Sequence, residues 1–193
     1  MPRRVLVING HPDGDPGRLC AGLAEAYAAG AREGGHEVET IAIAGLDIPF
    51  LRSQVEFEKG DIPASLSAAG EAVRHADHVV IVFPLWLGTM PALLKAFLEQ
   101  VMRPGIAFEY TKSGPKSLLA GGSARLVVTM GMPAFLYRLY FLSHGVAGLR
   151  RSILRFVGFS PVRTTLFGLV TAAKEDKRQK WLAQMRDLGR RAS

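Results

Sequence analysis

The segment from His78 to Pro84 constrains the fold of this chain more than any other. Its central residues, Val79 to Phe83, are all apolar and mostly β-branched, so the segment predicts a strand. A strand that is apolar on both faces is buried on both faces, as in the centre of a parallel sheet that helices cover. A second β-branched run, Val5 to Asn9, also ends in turn-forming residues. The two runs predict an α/β fold.

The segments around these strands alternate between strands and helices. Helical spacing of apolar residues begins at Leu19 and ends near Gly34, and an alternating strand follows from His36 to Ile43. Such a strand–helix–strand crossover implies a parallel sheet. The other predicted elements are a long loop with one helical turn at 45–63, a helix at 64–76, a helix beginning at Pro91, strands at 125–129 and 164–171, and a final helix at 174–191. We therefore predict one domain, residues 1–193, with a five-stranded parallel sheet and helices on both faces.

Composition excludes several other classes of protein. A hydrophobic fraction of 48% argues against intrinsic disorder. The longest uncharged run, between His78 and Lys95, is broken by prolines and a glycine and is too short to span a membrane. The apolar run near the first residues is also too short for a signal peptide. The single cysteine, Cys20, can form neither an internal disulfide nor a zinc motif, so we expect a cytoplasmic protein with no metal.

The charge balance is basic, with 24 lysines and arginines against 17 acidic residues and a net charge of +7. Such a balance favours anionic ligands or surfaces. The basic residues are scattered rather than arranged in a stripe, and those of the final helix are predicted to face solvent. We therefore predict no nucleic-acid partner.

Three loops follow the carboxyl ends of predicted strands, at 11–20, 84–91 and 129–133. Because parallel strands all point the same way, these loops converge on one crevice, where open α/β sheets bind ligands. The first loop opens a helix whose amide groups suit a phosphate, and Arg18 adds a charged donor. In the second loop, Trp86 and small neighbours suit a planar ring. The alternatives are an ordinary connection, since the first loop is neither a P-loop nor GxGxxG, and a tryptophan that packs in the core.

Several of these segments form a recognisable pattern. It comprises Gly10-His11-Pro12 after the first strand, FPLWLGTMPALLK at 83–95, the strand end at 129–131, Tyr137, His144-Gly145, and ILRFVGF at 153–159. Over most of its length the chain thus resembles the flavodoxin-like NAD(P)H:quinone oxidoreductases. The bacterial relatives of that family include quinone reductases and potassium-efflux ancillary proteins. The resemblance implies a flavodoxin-like three-layer sandwich.

The resemblance also implies a bound flavin, which we interpret as FMN, with FAD as the alternative. The residues that it places against the phosphate and ribityl chain are His11, Arg18, Leu19 and Cys20; against the ring, Pro84, Leu85, Trp86 and Leu87; and against the pyrimidine edge, Thr129, Met130, Gly131 and Met132. The chain departs from the family at two of these places. Members often have Ser-Phe-Asn where this chain has residues 18–20, and Thr-Thr-Gly-Gly where it has residues 129–132.

The chemistry that the resemblance implies is a two-step, ping-pong transfer of hydride from NAD(P)H to the flavin and then to a quinone-like acceptor. Tyr137 and His144 match the tyrosine and histidine that assist this step in the family, although they stand one residue further apart. A phenol or an imidazole can donate a proton to a quinone oxygen at neutral pH. The alternatives are that Tyr137 belongs to the aromatic packing at 135–141 and that His144 is a histidine at a helix end.

Three interpretations of the whole chain follow from the resemblance. The first is a flavoenzyme that reduces quinones. The second is a flavin-binding accessory or regulatory subunit of a membrane transporter, which would be a peripheral partner of that transporter. The third is a fold that has lost its flavin through the changes at Arg18 and Met132. The family is dimeric, and the apolar stretch 135–149 favours a homodimer here too. His75 and His78 are interpreted as structural.

Overall fold

The computed structural model describes residues 1–193 and contains seven strands and seven α-helices. The strands are β1 (Arg4–Asn9), β2 (Glu37–Ala42), β3 (His78–Pro84), β4 (Phe108–Thr111), β5 (Gly114–Ser117), β6 (Ser123–Thr129) and β7 (Val162–Phe167). The helices are α1 (Leu19–Glu33), α2 (Gln54–Lys59), α3 (Ser67–His75), α4 (Ala92–Val101), α5 (Ala134–Leu139), α6 (His144–Gly148) and α7 (Glu175–Arg190), and a π-helical segment (Leu149–Arg155) continues α6. None of these helices combines the length and the apolar character needed to cross a bilayer.

The main sheet is parallel, with the strand order β2-β1-β3-β6-β7. The predicted central strand, β3, pairs with β1 on one side and β6 on the other, and all seven of its residues are buried. Ile81, for example, lies between Ile8 and Leu126. The predicted fold class, a five-stranded parallel sheet flanked by helices, is confirmed.

Helices cover both faces of the sheet because alternate strand residues point to opposite faces. Val5 and Val7 of β1 pack in a core cluster with residues of α1 and α7. Leu6 and Ile8 pack in a second, larger cluster with residues of α3, α4 and the π-helical segment. The helices α1 and α7 therefore form one outer layer, and the remaining long helices form the other.

The structure shortens one predicted strand, shows the helical turn predicted at 45–63, and adds one hairpin. The last strand ends at Phe167 rather than at residue 171, because the amide groups of Leu169 and Val170 bond to the third loop instead. The region 45–63 contains helix α2, whose first turn is capped by the Ser53 hydroxyl at 3.1 Å from the Glu56 nitrogen. The antiparallel hairpin β4–β5 was not predicted, because strands of four residues are too short to show clear alternation.

Candidate functional site

The three predicted loops meet at the carboxyl edge of β1, β3 and β6. The His11 ring stands edge-on to Trp86, with ring centroids 6.0 Å apart. The Leu85 amide donates to the carbonyl of Thr129 at 2.8 Å, and the Thr129 hydroxyl lies 3.3 Å from the Cys20 sulfur. Each loop therefore touches another, so the three loops meet at this edge of the sheet as predicted, and the ligand site that they were predicted to form stays a prediction.

In the first loop, three successive side chains accept hydrogen bonds from the backbone amides two residues further on, and these bonds fix the loop's conformation. The Asp13 amide donates to Nδ1 of His11 at 3.0 Å, the Asp15 amide to Asp13 at 3.0 Å, and the Gly17 amide to Asp15 at 2.9 Å. Burial lowers the pKa of His11, which favours the neutral ring. Since Nδ1 accepts a hydrogen bond, the proton of the neutral ring is on Nε2. His11 thus has one N–H group left to donate.

The amino-terminal end of α1 begins beside this loop without a capping side chain. The amides of Leu19 and Cys20 have no acceptor within the protein, as expected of the first residues of an uncapped helix. Free amides at the positive end of a helix of 15 residues suit a phosphate group. The side chains of Leu19 and Cys20 contribute differently, since both face the protein interior rather than open solvent.

Arg18 is placed differently from the sequence-based expectation that it faces a phosphate. Its Nε donates to Asp13 Oδ2 at 2.8 Å, and Nε also lies 3.6 Å from Asp15. Two carboxylates within the loop therefore more than neutralise its charge. Hydrogen bonding by the Asp15 amide and by Arg18 lowers the pKa of Asp13, which keeps that carboxylate ionised. In this structure Arg18 braces the loop.

The second loop contains a tight turn at 86–89. The amide of Trp86 donates to the carbonyl of Thr89 at 2.9 Å, and the amide of Thr89 donates back at 3.0 Å. Leu87 and Gly88 both have positive φ, 47° and 80°, as a type I′ turn requires. A leucine in this conformation is strained, and such strain is concentrated at functional sites. The turn leaves Trp86 half exposed and Leu87 fully exposed, while Pro84 is buried at the end of β3.

Tyr137 and Gly145 fasten α6 to this turn. The Tyr137 hydroxyl donates to the carbonyl of Gly88 at 3.0 Å and accepts from the Val146 amide at 3.3 Å. A Cβ atom on Gly145 would lie 2.7 Å from Cα of Thr89, so only glycine allows this approach. Tyr137 is fully buried, and burial raises the pKa of its hydroxyl. The hydroxyl proton of Tyr137 is thus already donated to a backbone carbonyl. His144, by contrast, is exposed.

The third loop is bonded to the chain that follows β7. The Met130 amide donates to Phe167 at 2.9 Å, and the carbonyls of Met130 and Met132 accept from Val170 at 3.2 Å and from Leu169 at 3.1 Å. Met130 is buried and Met132 packs against the larger core cluster, so neither side chain fills the crevice. Gly131 is exposed, with no heavy atom within 4 Å of the place where a Cβ would lie. The loop therefore presents backbone to the crevice, which fits a planar ring.

Beneath the loops, Thr129 and Cys20 are both buried. Burial raises the pKa of the Cys20 thiol to about 11, so the thiol stays protonated and unreactive at neutral pH. These two side chains support the crevice from below.

The family model described as "Flavodoxin-like fold" matches residues 3–188. The chain belongs to this flavodoxin-like family. The match includes all three loops, so the crevice at the ends of β1, β3 and β6 is part of the family's fold rather than an addition to it.

Individual relatives are moderately similar to this chain in sequence. An FMN-dependent NADH:quinone oxidoreductase of Azotobacter vinelandii is 35% identical over 109 residues, which cover 56% of this chain and 52% of that protein. A protein of the same name from Listeria monocytogenes is 29% identical over 177 residues, covering 82% and 83%. Among the curated relatives with higher identity, the chain spans about half of their length. The solved NAD(P)H:quinone oxidoreductase of Methanothermobacter marburgensis has a TM-score of 0.84 at 20% identity, with both chains fully covered.

Sequence reasoning missed several residues that build this site of the flavodoxin-like protein. Asp13 and Asp15 organise the first loop, and Gly88 supplies the carbonyl that anchors Tyr137. The spacing of the two aspartates before a helix was a usable signal, because such side chains bond backbone amides two residues on. The bond from Tyr137 to Gly88 joins residues 49 apart and had no sequence signal.

Proposed function

We propose that the protein is an FMN-dependent oxidoreductase that uses NAD(P)H to reduce quinones or similar acceptors. The observation that carries this proposal is the uncapped start of α1, whose first amides are free and which follows directly on the loop that contains His11. Relatives of the chain that are named FMN-dependent NADH:quinone oxidoreductases support it. FMN is favoured over FAD because those names specify FMN.

The residues fit an FMN through their backbone more than their side chains. The amides of Leu19 and Cys20, with Nε2 of His11, would hold the phosphate. The remaining predicted contacts, Pro84, Leu85, Trp86 and Leu87 in the second loop and Thr129, Met130, Gly131 and Met132 in the third, would border the ring. When bound, FMN supplies the ability to accept and release a hydride, which no side chain of this protein has. Arg18 acts indirectly by holding the loop.

Titration of the cofactor-free protein with FMN and FAD, followed by visible absorption, tests the cofactor. We expect a stoichiometric FMN complex and weaker binding of FAD. Steady-state oxidation of NADH or NADPH with a soluble quinone then tests the activity, and parallel double-reciprocal lines are expected for a ping-pong reaction. FMN binding without quinone-dependent oxidation would contradict the enzyme proposal and favour the accessory role.

We assign the two predicted catalytic residues different roles. Tyr137 positions the second loop, because its hydroxyl bonds Gly88 and Val146. Replacing Tyr137 with phenylalanine removes both bonds, and we expect FMN to bind about tenfold more weakly, equivalent to about 1.4 kcal/mol. Tyr110→Phe is the matched control, since Tyr110 is exposed on β4 and its hydroxyl has no partner. Equal FMN affinity in the two variants would contradict the positioning role.

His144 is exposed at the start of α6, beside the glycine that contacts the second loop, and we propose that it donates a proton to the acceptor's oxygen. His144→Gln keeps a polar side chain but cannot supply that proton. We expect its kcat with a quinone to fall about 100-fold, the lower end of a general-acid contribution. FMN affinity should stay at the wild-type value, and an unchanged kcat would exclude His144 from the chemistry.

The homodimer stays a proposal that the exposed surface supports. Phe135, Leu139, Tyr140 and Leu142 are all more than 60% exposed, and they lie on and just after α5. Such a patch beside a binding site is typical of a subunit interface. Light scattering at micromolar concentration should give twice the monomer mass of 20.9 kDa. A monomeric mass would exclude this interface.

A further inference from the structure

A groove of about 720 Å³ runs along β7, and α6 and the π-helical segment also line it. None of its lining residues belongs to the three loops of the candidate site. Five arginines and one histidine line the groove, and no aspartate or glutamate does. These basic residues are Arg125, Arg138, Arg150, Arg151, Arg163 and His144. The groove is therefore strongly positive.

The arginines of the groove form no ion pairs with acidic side chains. Arginines elsewhere in the chain, such as Arg4, Arg186 and Arg190, form such pairs, but none of the five in the groove does. Arg125 donates instead to the Thr165 hydroxyl at 2.7 Å and to the carbonyl of Ser193. The charge of the groove is thus not balanced by any acidic side chain.

The strand that borders the groove, β7, is also an open edge of the main sheet. The amide of Ala124 donates to the carbonyl of Pro161 at 3.0 Å, and the amide of Met130 donates to that of Phe167 at 2.9 Å. Because alternate residues of a parallel strand bond the same neighbour, the odd-numbered residues of β7 bond β6. The even-numbered residues therefore point their amides and carbonyls to the open side, without a partner. They are Val162, Thr164 and Leu166, and all of them line the groove.

Two buried side-chain atoms of the lining residues also lack a partner. They are Nε of Arg150 and Oγ1 of Thr164. A buried donor without an acceptor costs free energy, so native proteins seldom leave one unless a bound molecule or water completes it. A bound group with acceptor oxygens would complete both atoms.

The open strand edge distinguishes between anionic partners, because it presents donors and acceptors together. The phosphates of a nucleic acid or of a small molecule have acceptor oxygens but no N–H groups, so they would leave the edge carbonyls unpaired. An extended peptide offers N–H and C=O groups in alternation and can add a strand to an open edge. Pairing with β7 of a second copy would place the same arginines against each other, and like charges on paired strands repel. An acidic peptide therefore fits both the edge and the charge.

We propose that this groove binds an extended, acidic segment of another protein, which adds a strand to the open edge of β7. At about 3.3 Å per residue, the edge from Val162 to Leu166 holds a strand of about five residues. Carboxylates of that strand would pair with Arg151 and Arg163, which are both exposed. The proposal goes beyond the oxidoreductase, because the residues that carry it lie outside both the three loops and the proposed dimer interface.

The test measures the binding of three labelled peptides to the full chain by fluorescence polarisation. Each has about eight residues, enough to span the edge of β7. In the first peptide glutamate alternates with valine, in the second glutamine replaces each glutamate, and in the third the backbone amides of the first are N-methylated. We expect the second and third peptides to bind at least about tenfold more weakly, because one lacks the ion pairs and the other lacks the N–H donors.

Variants of the protein test the arginines and the strand edge separately. Arg151→Ala and Arg163→Ala should each weaken the first peptide at least about fivefold; both side chains are exposed and unpaired, so the variants should fold. Arg155→Ala is the matched control within about twofold of wild type, because Arg155 is exposed on the same helical segment but does not line the groove.

Thr164→Pro removes an edge amide, and a sheet edge tolerates proline where the missing N–H faces outward. This variant should weaken the first peptide at least about tenfold. Thr164→Val keeps the amide and loses only the hydroxyl, so we expect a loss of at most about threefold. Circular dichroism checks that both variants fold, and the N-methylated peptide tests the same backbone bonds without any change to the protein.

Several results would each overturn the proposal. Equal affinity for the first and third peptides would exclude strand addition, and equal affinity for the first and second would exclude recognition of acidic side chains. Binding that Arg151→Ala and Arg163→Ala leave unchanged would place the peptide elsewhere on the protein. Displacement of the first peptide by pyrophosphate or a single-stranded oligonucleotide, at a concentration no higher than that of unlabelled peptide, would indicate a phosphate site instead. No binding of the first peptide at millimolar concentration would also reject the proposal.

Discussion

Replacing Gly30 with alanine should lower the free energy of unfolding by about 3 kcal/mol, because it forces apart two helices that touch through their backbones. A Cβ on Gly30, in α1, would lie 2.7 Å from the carbonyl carbon of Arg186 in α7. The contact is reciprocal, since a Cβ on Gly189 would lie 2.9 Å from the amide nitrogen of Ala31. Backbone cannot rotate away as a side chain can, so the helices must separate and open the core beneath them.

Gly22, in the same helix, provides the matched control. Its Cβ would lie 3.5 Å from the side chain of Leu182, an ordinary van der Waals distance. Alanine favours a helix interior over glycine by about 1 kcal/mol, so Gly22→Ala should leave stability unchanged or raise it. Urea unfolding followed by circular dichroism measures both variants. A similar loss of stability in both would show that the close approach of α1 and α7 does not matter.

This helix pair shows how far sequence reasoning about the fold extends. The helical spacing of apolar residues from Leu19 to near Gly34 predicted α1 correctly, and the apolar segment at His78 to Pro84 predicted the centre of a parallel sheet. Periodicity identifies the side of a helix that is buried but not the element that covers it. The contact between Gly30 and Arg186 joins positions far apart in the chain, and its distance depends on the packed structure. The sequence therefore places Gly30 within a predicted helix but does not mark it as the point where two helices cross.

For the candidate site too, the sequence predicted the location but not the contacts within it. The rule that ligands bind at the carboxyl ends of parallel strands located all three loops, and the loops do meet. The rule says nothing about which polar groups are already paired. Arg18 was expected to face a phosphate, but Asp13 holds it, and Tyr137 was expected to give up a proton that Gly88 already accepts. Hydrogen bonding between loops is a property of the assembled site, so these roles became visible only in the structure.

The second large effect concerns His78, which lies fully buried between α1 and β6 at the start of β3. Its Nε2 lies 2.9 Å from the Tyr27 hydroxyl and its Nδ1 lies 2.7 Å from the Ser123 hydroxyl. Burial, reinforced by the positive charge of Arg125, lowers the pKa of His78 to about 3. More distant basic groups, Arg3, Arg163 and His36, act in the same direction. The sequence analysis interprets His78 as structural. The two bonds agree with this interpretation, because both ring nitrogens are paired with side chains in the core.

The protein should therefore lose stability in mild acid. In the unfolded chain the histidine has an ordinary pKa of about 6.5, so it binds a proton as the pH falls below that value while folded His78 stays neutral. The folded state is then disfavoured by about 1.4 kcal/mol for each pH unit down to pH 3, or about 3 kcal/mol between pH 7 and pH 4. Above pH 7 this contribution is fully present. Urea unfolding at a series of pH values measures the slope.

The variant His78→Gln separates this effect from the carboxylates that also titrate in acid. Glutamine can still bond Tyr27 and Ser123 but cannot take a proton, so the variant should be less stable than wild type at pH 7 through poorer geometry. The difference between the two proteins should shrink by about 3 kcal/mol at pH 4, because only wild type carries the histidine penalty. His75→Gln, which changes an exposed histidine beside Glu71, should follow the wild-type curve. If His78→Gln kept the same pH slope as wild type, the acid sensitivity would have to come from other groups.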